Sequence, residues 1–318
     1  MRKIGILTSG GDAPGMNAAV RALTRMALQE GFEVYGVYDG YKGLVEDDIH
    51  PLTRADVAGI IYRGGTVLRT VRLEEFQELE IQKKGIKNLK KHGIDTLIVI
   101  GGDGTFRGAE CLSNLGLNCL CIPGTIDNDL AYTDFTLGFD TAVNTVLSAI
   151  NNIRDTMTSH GRVCIVEVMG KRCGDIALYA AIAGGAEEVL IPEREYDIAR
   201  ITERLRKDEA SGKKSDIIIL SEGVFKAVDL AKEIQASLRL PLRTITLGHV
   251  QRGGTPSMMD RLLAARFSYH AIELIKSGVK NRAIGIKDNK IIDLDITEAL
   301  ALKKELNQEL CKIEELLR

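Results

Sequence analysis

The sequence predicts an α/β fold: two similar, doubly wound, mainly parallel-sheet lobes that share one cleft. Three observations carry that expectation. Short β-branched runs alternate with longer segments of helical periodicity. Glycine-rich turns follow several strand-like runs, where open parallel sheets place their ligand loops. The alternation runs through two halves with no long linker or low-complexity stretch between them, and 318 residues suffice for both.

Ile4 to Thr8 reads as a buried strand. Met16 to Glu30 reads as a helix, with Met16, Ala19, Val20, Leu23 and Ala27 on one face and Gly31 as its stop. Phe32 to Tyr38 is the next strand, and a helix runs to His92 and stops at Gly93. Asp95 to Ile100 and Cys119 to Ile122 are strands. In the second half, Phe139 to Met157, Ile176 to Ala186, Asp197 to Glu209, Lys226 to Leu238 and Asp260 to Lys276 carry helical patterns. Arg162 to Val168, Ile217 to Ser221 and Thr244 to Val250 are strands, and Ala283 to Ile286 is the final one. Ile296 to Leu317 reads as one charged helix.

Lys+Arg at 42 against Asp+Glu at 44 leaves a formal net charge of −2, so no global field favours nucleic acid or an acidic membrane. An anionic small ligand needs only a local basic pocket. Of the six cysteines, Cys119, Cys121 and Cys164 sit in apolar runs, and no pair has zinc-knuckle spacing. They read as reduced core thiols of a cytosolic protein. The first residues lack the apolar stretch of a signal peptide, and no run reaches membrane-spanning length. The expectation is a cytoplasmic protein with no nucleic-acid or membrane partner.

The loops after the strands carry the chemistry. Ser9-Gly10-Gly11-Asp12-Ala13-Pro14-Gly15 leads into a helix, so backbone N–H groups and a helix N-terminus can meet an anion; a plain tight turn is the alternative. It is not the G-x-x-x-x-G-K-[ST] loop. In Gly101-Gly102-Asp103-Gly104-Thr105 a carboxylate stands among glycines, which suits a phosphate tail with Asp103 on Mg²⁺. Pro123-Gly124-Thr125-Ile126-Asp127-Asn128-Asp129 offers two carboxylates at a strand end, one for a base and one for a metal partner, as phosphoryl transfer requires; an Asx-turn is the bland reading. Basic residues gather in the other half: Arg162, Lys171, Arg172, Arg243, His249 and Arg252. Singly each reads as a solvated charge, while together they suit a substrate phosphate. The first loop lacks G-x-G-x-x-G, which disfavours a dinucleotide-binding dehydrogenase.

These three loops, taken as Gly10 to Asn17, Gly101 to Thr105 and Pro123 to Asp129, join Gly248-His249-Val250-Gln251-Arg252-Gly253-Gly254 in a set that resembles the bacterial ATP-dependent 6-phosphofructokinases, from the first strand to about residue 300. NAD kinases and diacylglycerol kinases carry a motif like the second loop but lack the combination. The resemblance implies an ATP-binding lobe of residues 1–138 and 251–301, and a smaller fructose 6-phosphate-binding lobe of 139–250 and 302–318. Gly11, Arg72 and Gly102 to Thr105 would hold ATP, with Asp103 on Mg²⁺. Asp127 would accept the proton of the sugar 1-hydroxyl, and Thr125 and Asp129 would shape the site around the transferred group, with Arg72 and Lys171 also in the catalytic set. Arg252 and His249 would bind the 6-phosphate, Glu222 a sugar hydroxyl, and Met169 with Gly170 the apolar side of the sugar. Arg162 and Arg243 would enter from a neighbouring subunit of a homotetramer.

The small residues Gly104 and Gly124 favour ATP, because pyrophosphate-using relatives typically carry Asp and Lys there. Arg21, Arg25, Arg54, Arg154, Glu187 and Lys213 match positions that bind regulatory ADP or phosphoenolpyruvate in the family. Three departures stand out. Gly59 replaces an acidic residue, Ser211 a basic one, and Lys171 an arginine whose planar fork it lacks. Arg69 and Leu73 are also unusual beside the nucleotide position. Weakened allosteric control is expected. A tagatose 6-phosphate kinase, another hexose-phosphate kinase, or a regulatory paralogue with weak catalysis are the alternatives.

Overall fold

In the computed structural model, which describes residues 2–238 and 241–318, the apolar β-branched runs become buried strands and the periodic segments become helices. The chain gives β1 (Lys3–Thr8), α1 (Met16–Gln29), β2 (Glu33–Val37), α2 (Gly40–Glu46), β3 (Ile49–Pro51), α3 (Leu79–His92), β4 (Thr96–Gly101), α4 (Asp103–Asn114) and β5 (Asn118–Pro123). It continues through α5 (Phe139–His160), β6 (Val163–Val168), α6 (Asp175–Gly184), β7 (Glu188–Leu190), α7 (Ile198–Ala210), β8 (Asp216–Ser221), α8 (Ala227–Ser237) and β9 (Leu242–Thr246). It ends with α9 (Met258–Ser277), β10 (Arg282–Lys287), β11 (Lys290–Asp295), α10 (Ile296–Ala301) and α11 (Gln308–Leu317).

Two compact units result, one of Met1–Thr141 with Arg252–Lys304 and one of Ala142–Gln251 with Glu305–Arg318. In the first, seven strands lie in the order β11-β10-β5-β4-β1-β2-β3. The five inner strands are parallel, and β3 and β11 close the edges antiparallel. Strands β1, β4 and β5 are almost wholly buried, which is why they read as continuous apolar runs. Leu7, Leu44, Leu89, Leu97 and Phe106 belong to a core cluster on this sheet. In the second unit, four parallel strands run β7-β8-β6-β9 over a core that includes Ile165, Ile201, Leu205, Ile218 and Leu230.

The structure corrects several boundaries. The two sheets share doubly wound topology but differ in size. Ala283 to Ile286 is not the last strand, because Asp288 and Asn289 both take left-handed backbone (φ 49° and 59°) and turn the chain into β11. Residues 296–317 form two helices, the second started by Asn307, whose side chain accepts the Leu310 N–H at 3.0 Å. Strand β9 stops at Thr246, and residues 248–252 curl into a 3₁₀ turn in which Gln251 Nε2 donates to the Gly248 carbonyl at 2.9 Å. The first division between units falls inside α5, after Thr141, whose amide is held by Asp260 of the same unit.

Candidate active site

In the first unit, parallel pairing aligns Thr8 with Ile100, Ile100 with Ile122 and Gly101 with Pro123. Loops 9–15, 101–105 and 123–129 therefore leave one sheet edge side by side. Ser9 N–H donates to the Ile100 carbonyl at 3.1 Å, and Gly124 N–H to the Gly101 carbonyl at 2.9 Å. Gly15, at φ 104°, precedes α1 in a conformation that glycine adopts without strain. The Arg252 guanidinium packs directly against Gly11: a Cβ there would lie 2.0 Å from Arg252 Nη1, so a larger residue would displace that side chain. The Arg252 guanidinium reaches the Asp12 carbonyl at 3.5 Å, so this arginine lies over the first loop.

Asp103 opens α4 and is half-buried, with glycine on both sides. Thr105 is buried, and its Oγ1 has no hydrogen-bond partner among the described residues. Two helices, α1 and α4, thus begin at this edge with their free N–H groups and positive dipole ends. The two glycines tied to donor choice differ. Nothing lies within 4 Å of a Cβ built on Gly104, whereas one on Gly124 would meet Ile100 at 3.0 Å and Met16 at 3.2 Å. Only Gly104 leaves open space.

The 123–138 loop is braced from within. Thr136 Oγ1 donates to the Thr125 carbonyl at 2.6 Å, Asn128 Nδ2 to the Asp134 carbonyl at 3.0 Å, and Asp127 N–H to Thr125 Oγ1 at 3.2 Å. Leu137 N–H closes the neck on the Pro123 carbonyl at 2.9 Å. Asp127 and Asn128 are buried, and Thr125 and Asp129 half-buried. Arg72 is exposed. Arg69 is committed elsewhere: its guanidinium holds Asp39 through two bonds of 2.8 Å, reaches Asp48 at 3.1 Å, and stacks on Tyr38.

In the second unit, β6 pairs with β8 and β9 so that Val168 faces Ser221 and Glu167 faces Thr246. Met169, Gly170 and Lys171 therefore emerge beside Glu222 and ahead of His249. Lys171 N–H donates to Glu222 Oε1 at 3.1 Å, and Met169 N–H to Gln251 Oε1 at 3.2 Å. Gly170 has φ 141°, and a Cβ there would sit 2.3 Å from the Cys173 carbonyl, so no other residue fits without rearrangement. Lys171 itself takes left-handed backbone, φ 57°. Arg162 and Arg243 stand at the opposite, amino-terminal end of β6 and β9, where Cys164 pairs with Arg243. The six residues of β6 separate the two ends by about 20 Å at roughly 3.3 Å each.

Arg25 and Arg54 line a cavity of about 370 Å³ in the first unit, with Gln29 and Tyr269; Arg54 Nη2 donates to Gln29 Oε1 at 2.8 Å. Arg21 is half-buried on α1. In the second unit Arg154 and Lys213 converge on Glu187 at 3.5 and 3.1 Å, and Lys213 also pairs with Asp216 at 2.7 Å. Burial alone would lower the Lys213 pKa, but its bonds to Asp216 and Glu187 raise it. Ser211 Oγ donates to the Asp208 carbonyl, closing its own helix end.

Residues not singled out from sequence also shape these edges. Tyr41 Oη donates to the Thr105 carbonyl at 2.5 Å while its ring stacks on Phe76. Gln251 holds the Met169 amide. Asp260 accepts from Gly138 and Thr141, and burial pushes its carboxyl up to about 6. The six cysteines are free thiols, and burial raises Cys164 to about 11, which removes it from nucleophilic chemistry. Among the described residues no helix is long and apolar enough to cross a membrane.

The phosphofructokinase family model matches residues 3–275. An ATP-dependent 6-phosphofructokinase of Clostridium botulinum is 53% identical over 317 residues, covering 100% of this chain and 99% of that relative. Phosphofructokinase from Saccharomyces cerevisiae superposes with a TM-score of 0.91 at 32% identity; it covers all of this chain, which spans 50% of the yeast chain. A pyrophosphate-dependent phosphofructokinase from Marinobacter aquaeolei shares the fold, with a TM-score of 0.87 at 20% identity over 100% of this chain and 91% of that one.

Proposed function

The chain belongs to the phosphofructokinase family, and on that premise we propose that it transfers the γ-phosphoryl group of MgATP to the 1-hydroxyl of fructose 6-phosphate, giving fructose 1,6-bisphosphate and ADP in glycolysis. The observation that carries this reading is the alignment of three loops on adjacent parallel strand ends, with Asp103 at a helix start and Asp127 buried in the neighbouring loop.

The glycine amides of the first two loops, with Arg72, bind the nucleotide phosphates. A single carboxylate among glycines fits Mg²⁺ carried in by its nucleotide, an ion bound through one or two carboxylates plus substrate phosphates. Held at Asp103, the ion would supply charge neutralisation on the phosphates. Asp127 takes the proton from the attacking hydroxyl, and Thr125 and Asp129 border the transferred group. Lys171 adds a cation, Met169 and Gly170 line the sugar, Glu222 accepts from a sugar hydroxyl, and His249 with Arg252 receives the 6-phosphate. Arg162 and Arg243 complete the pocket of a second copy in a homotetramer, a role supported by their position about 20 Å from Lys171 on one chain. The open space at Gly104 supports ATP as donor.

The Arg154, Glu187 and Lys213 group and the cavity with Arg25 and Arg54 receive ADP or phosphoenolpyruvate as effectors. Ser211 and Gly59 bring no charge to that task, so control is weak. A coupled assay of purified protein, with ATP or pyrophosphate and with fructose or tagatose 6-phosphate, tests the whole reading. Turnover is expected with ATP and fructose 6-phosphate. Turnover with pyrophosphate but not ATP would overturn the donor, and a preference for tagatose 6-phosphate would overturn the acceptor.

A further inference from the structure

The 123–138 loop leaves β5 and returns to α5, and its neck is closed by backbone pairing of Leu137 with Pro123 and Gly124. Just past that neck, three donors converge on one buried carboxylate. Gly138 N–H reaches Asp260 Oδ1 at 2.8 Å, and Thr141 N–H and Oγ1 reach Asp260 Oδ2 at 2.9 and 2.5 Å. The Thr141 hydroxyl in turn accepts the Ser257 N–H at 2.9 Å, and Ser257 Oγ accepts the Asp260 N–H at 3.2 Å. Asp260 is 1% exposed. It lies in the first turn of α9 and caps the first turn of α5, so two helix dipoles favour its ionised form against the cost of burial.

The same residue lies beside the first loop. Asp260 Cβ would lie 3.4 Å from a Cβ on Gly15, and a Cβ on Gly138 would meet Ala13 Cβ at 2.7 Å. One side chain therefore registers loop 123–138 against loop 10–15 and against the segment that carries Arg252. The bonds on the carboxylate span 119 and 122 residues of chain. An amide in its place would turn an NH₂ group toward N–H or O–H donors on one side.

We infer that Asp260 is a positioning residue for the proposed transfer: by gripping Gly138 and Thr141 it fixes where Asp127 stands against the phosphate loops. This rests on reading 123–129 as the catalytic loop. Asp260→Asn is expected to lower kcat on the order of 10- to 100-fold while the KM for fructose 6-phosphate moves less than about threefold, the pattern of a misplaced reacting group. Ser268→Ala is the matched control. It lies on the same helix, is buried, and donates to the Ala264 carbonyl at 2.7 Å. It should lose stability without losing kcat. A kcat within twofold of wild type for Asp260→Asn, or an equal loss in Ser268→Ala, would overturn the inference.

Should Asp260→Asn not fold, Thr141→Val removes the bridging hydroxyl at conserved volume. A several-fold fall in kcat is expected, and an unchanged kcat overturns the inference. Hydrogen exchange needs no turnover. In Asp260→Asn the amides of 124–141 should exchange faster than in wild type, and in Ser268→Ala they should not. Unchanged exchange there rules the anchor out even in an active kinase. Faster exchange in a protein that proves inactive upholds the anchor and removes only the reading it serves.

Discussion

The carboxyl-terminal edges of the two sheets are built by the same rule and carry opposite equipment. In the larger unit the edge holds glycines and carboxylates: Gly11, Gly102, Gly104, Asp103, Asp127 and Asp129. In the smaller unit it holds Lys171, Glu222 and His249 around the Met169 and Lys171 amides. Parallel strands feeding helices place loops at the carboxyl edge in both cases. Side-chain chemistry then decides what each edge does. Backbone amides and acids suit a phosphate chain with its metal and a proton to be removed. A cation with hydrogen-bonding groups suits a sugar phosphate. Left-handed backbone occurs at both edges: the larger one puts glycines there at positions 10 and 15 and a side chain at Asn128, and the smaller one puts a side chain there at Lys171.

Breaking the acid side of this contrast should cost most. Asp127→Ser removes the proposed proton acceptor but leaves the second unit intact. We expect kcat to fall by about 10²- to 10⁴-fold, the scale of general-base catalysis, with fructose 6-phosphate binding by calorimetry unchanged. Loss of binding in parallel would mean that Asp127 is structural. Next comes Gly104→Asp. The space there is open, and an acid in the first turn of α4 suits the helix, so folding should be normal. With the nucleotide bound as proposed, the new carboxylate would face its phosphates, and the KM for ATP should rise on the order of 100-fold, because juxtaposed like charges cost several kcal/mol. An unchanged KM would show that Gly104 does not border the donor.

A third prediction concerns stability. Burial raises the Asp260 carboxyl to about 6 from 3.8, so the fold favours its protonated form. That contribution is complete below the unfolded value and is lost as pH rises through about 6. Between pH 7 and pH 5 wild type should gain on the order of 1 kcal/mol relative to Asp260→Asn, read from urea unfolding at both pH values. A constant difference would place the titration elsewhere.

The loops were legible because their function is written locally. Glycines and acids that follow a strand within a few residues must lie at the sheet edge, whatever the rest of the chain does. The central strands were legible for a similar reason, since burial on both faces leaves unbroken apolar runs. Asp260 was not. Ser257-x-x-Asp260 is a helix-start signature, and it does start α9. Nothing local announces that the same carboxylate also caps α5. Strands β3 and β7 escaped because three residues carry no period, and β11 because its residues are only half-buried. Arg252 could be named as an anion ligand from its motif, but its place over Gly11 depends on folding between distant segments.

The smallest expected change tests the basic side. Lys171 occupies a left-handed position and is held by its own amide on Glu222 at 3.1 Å. That anchor uses backbone only, so Lys171→Arg keeps it, and the strain of a side chain at φ 57° is similar for both residues. What changes is the head group. A planar guanidinium offers two parallel N–H donors to a phosphoryl oxygen pair, where an ammonium offers a point charge. If Lys171 acts on the transferred group, the substitution should raise kcat by roughly two- to fivefold, one stronger charge-assisted bond being partly offset by rotamer loss. A change confined to the KM for fructose 6-phosphate would instead assign Lys171 to ground-state sugar binding, and the smaller edge would then hold substrate without sharing in the transfer.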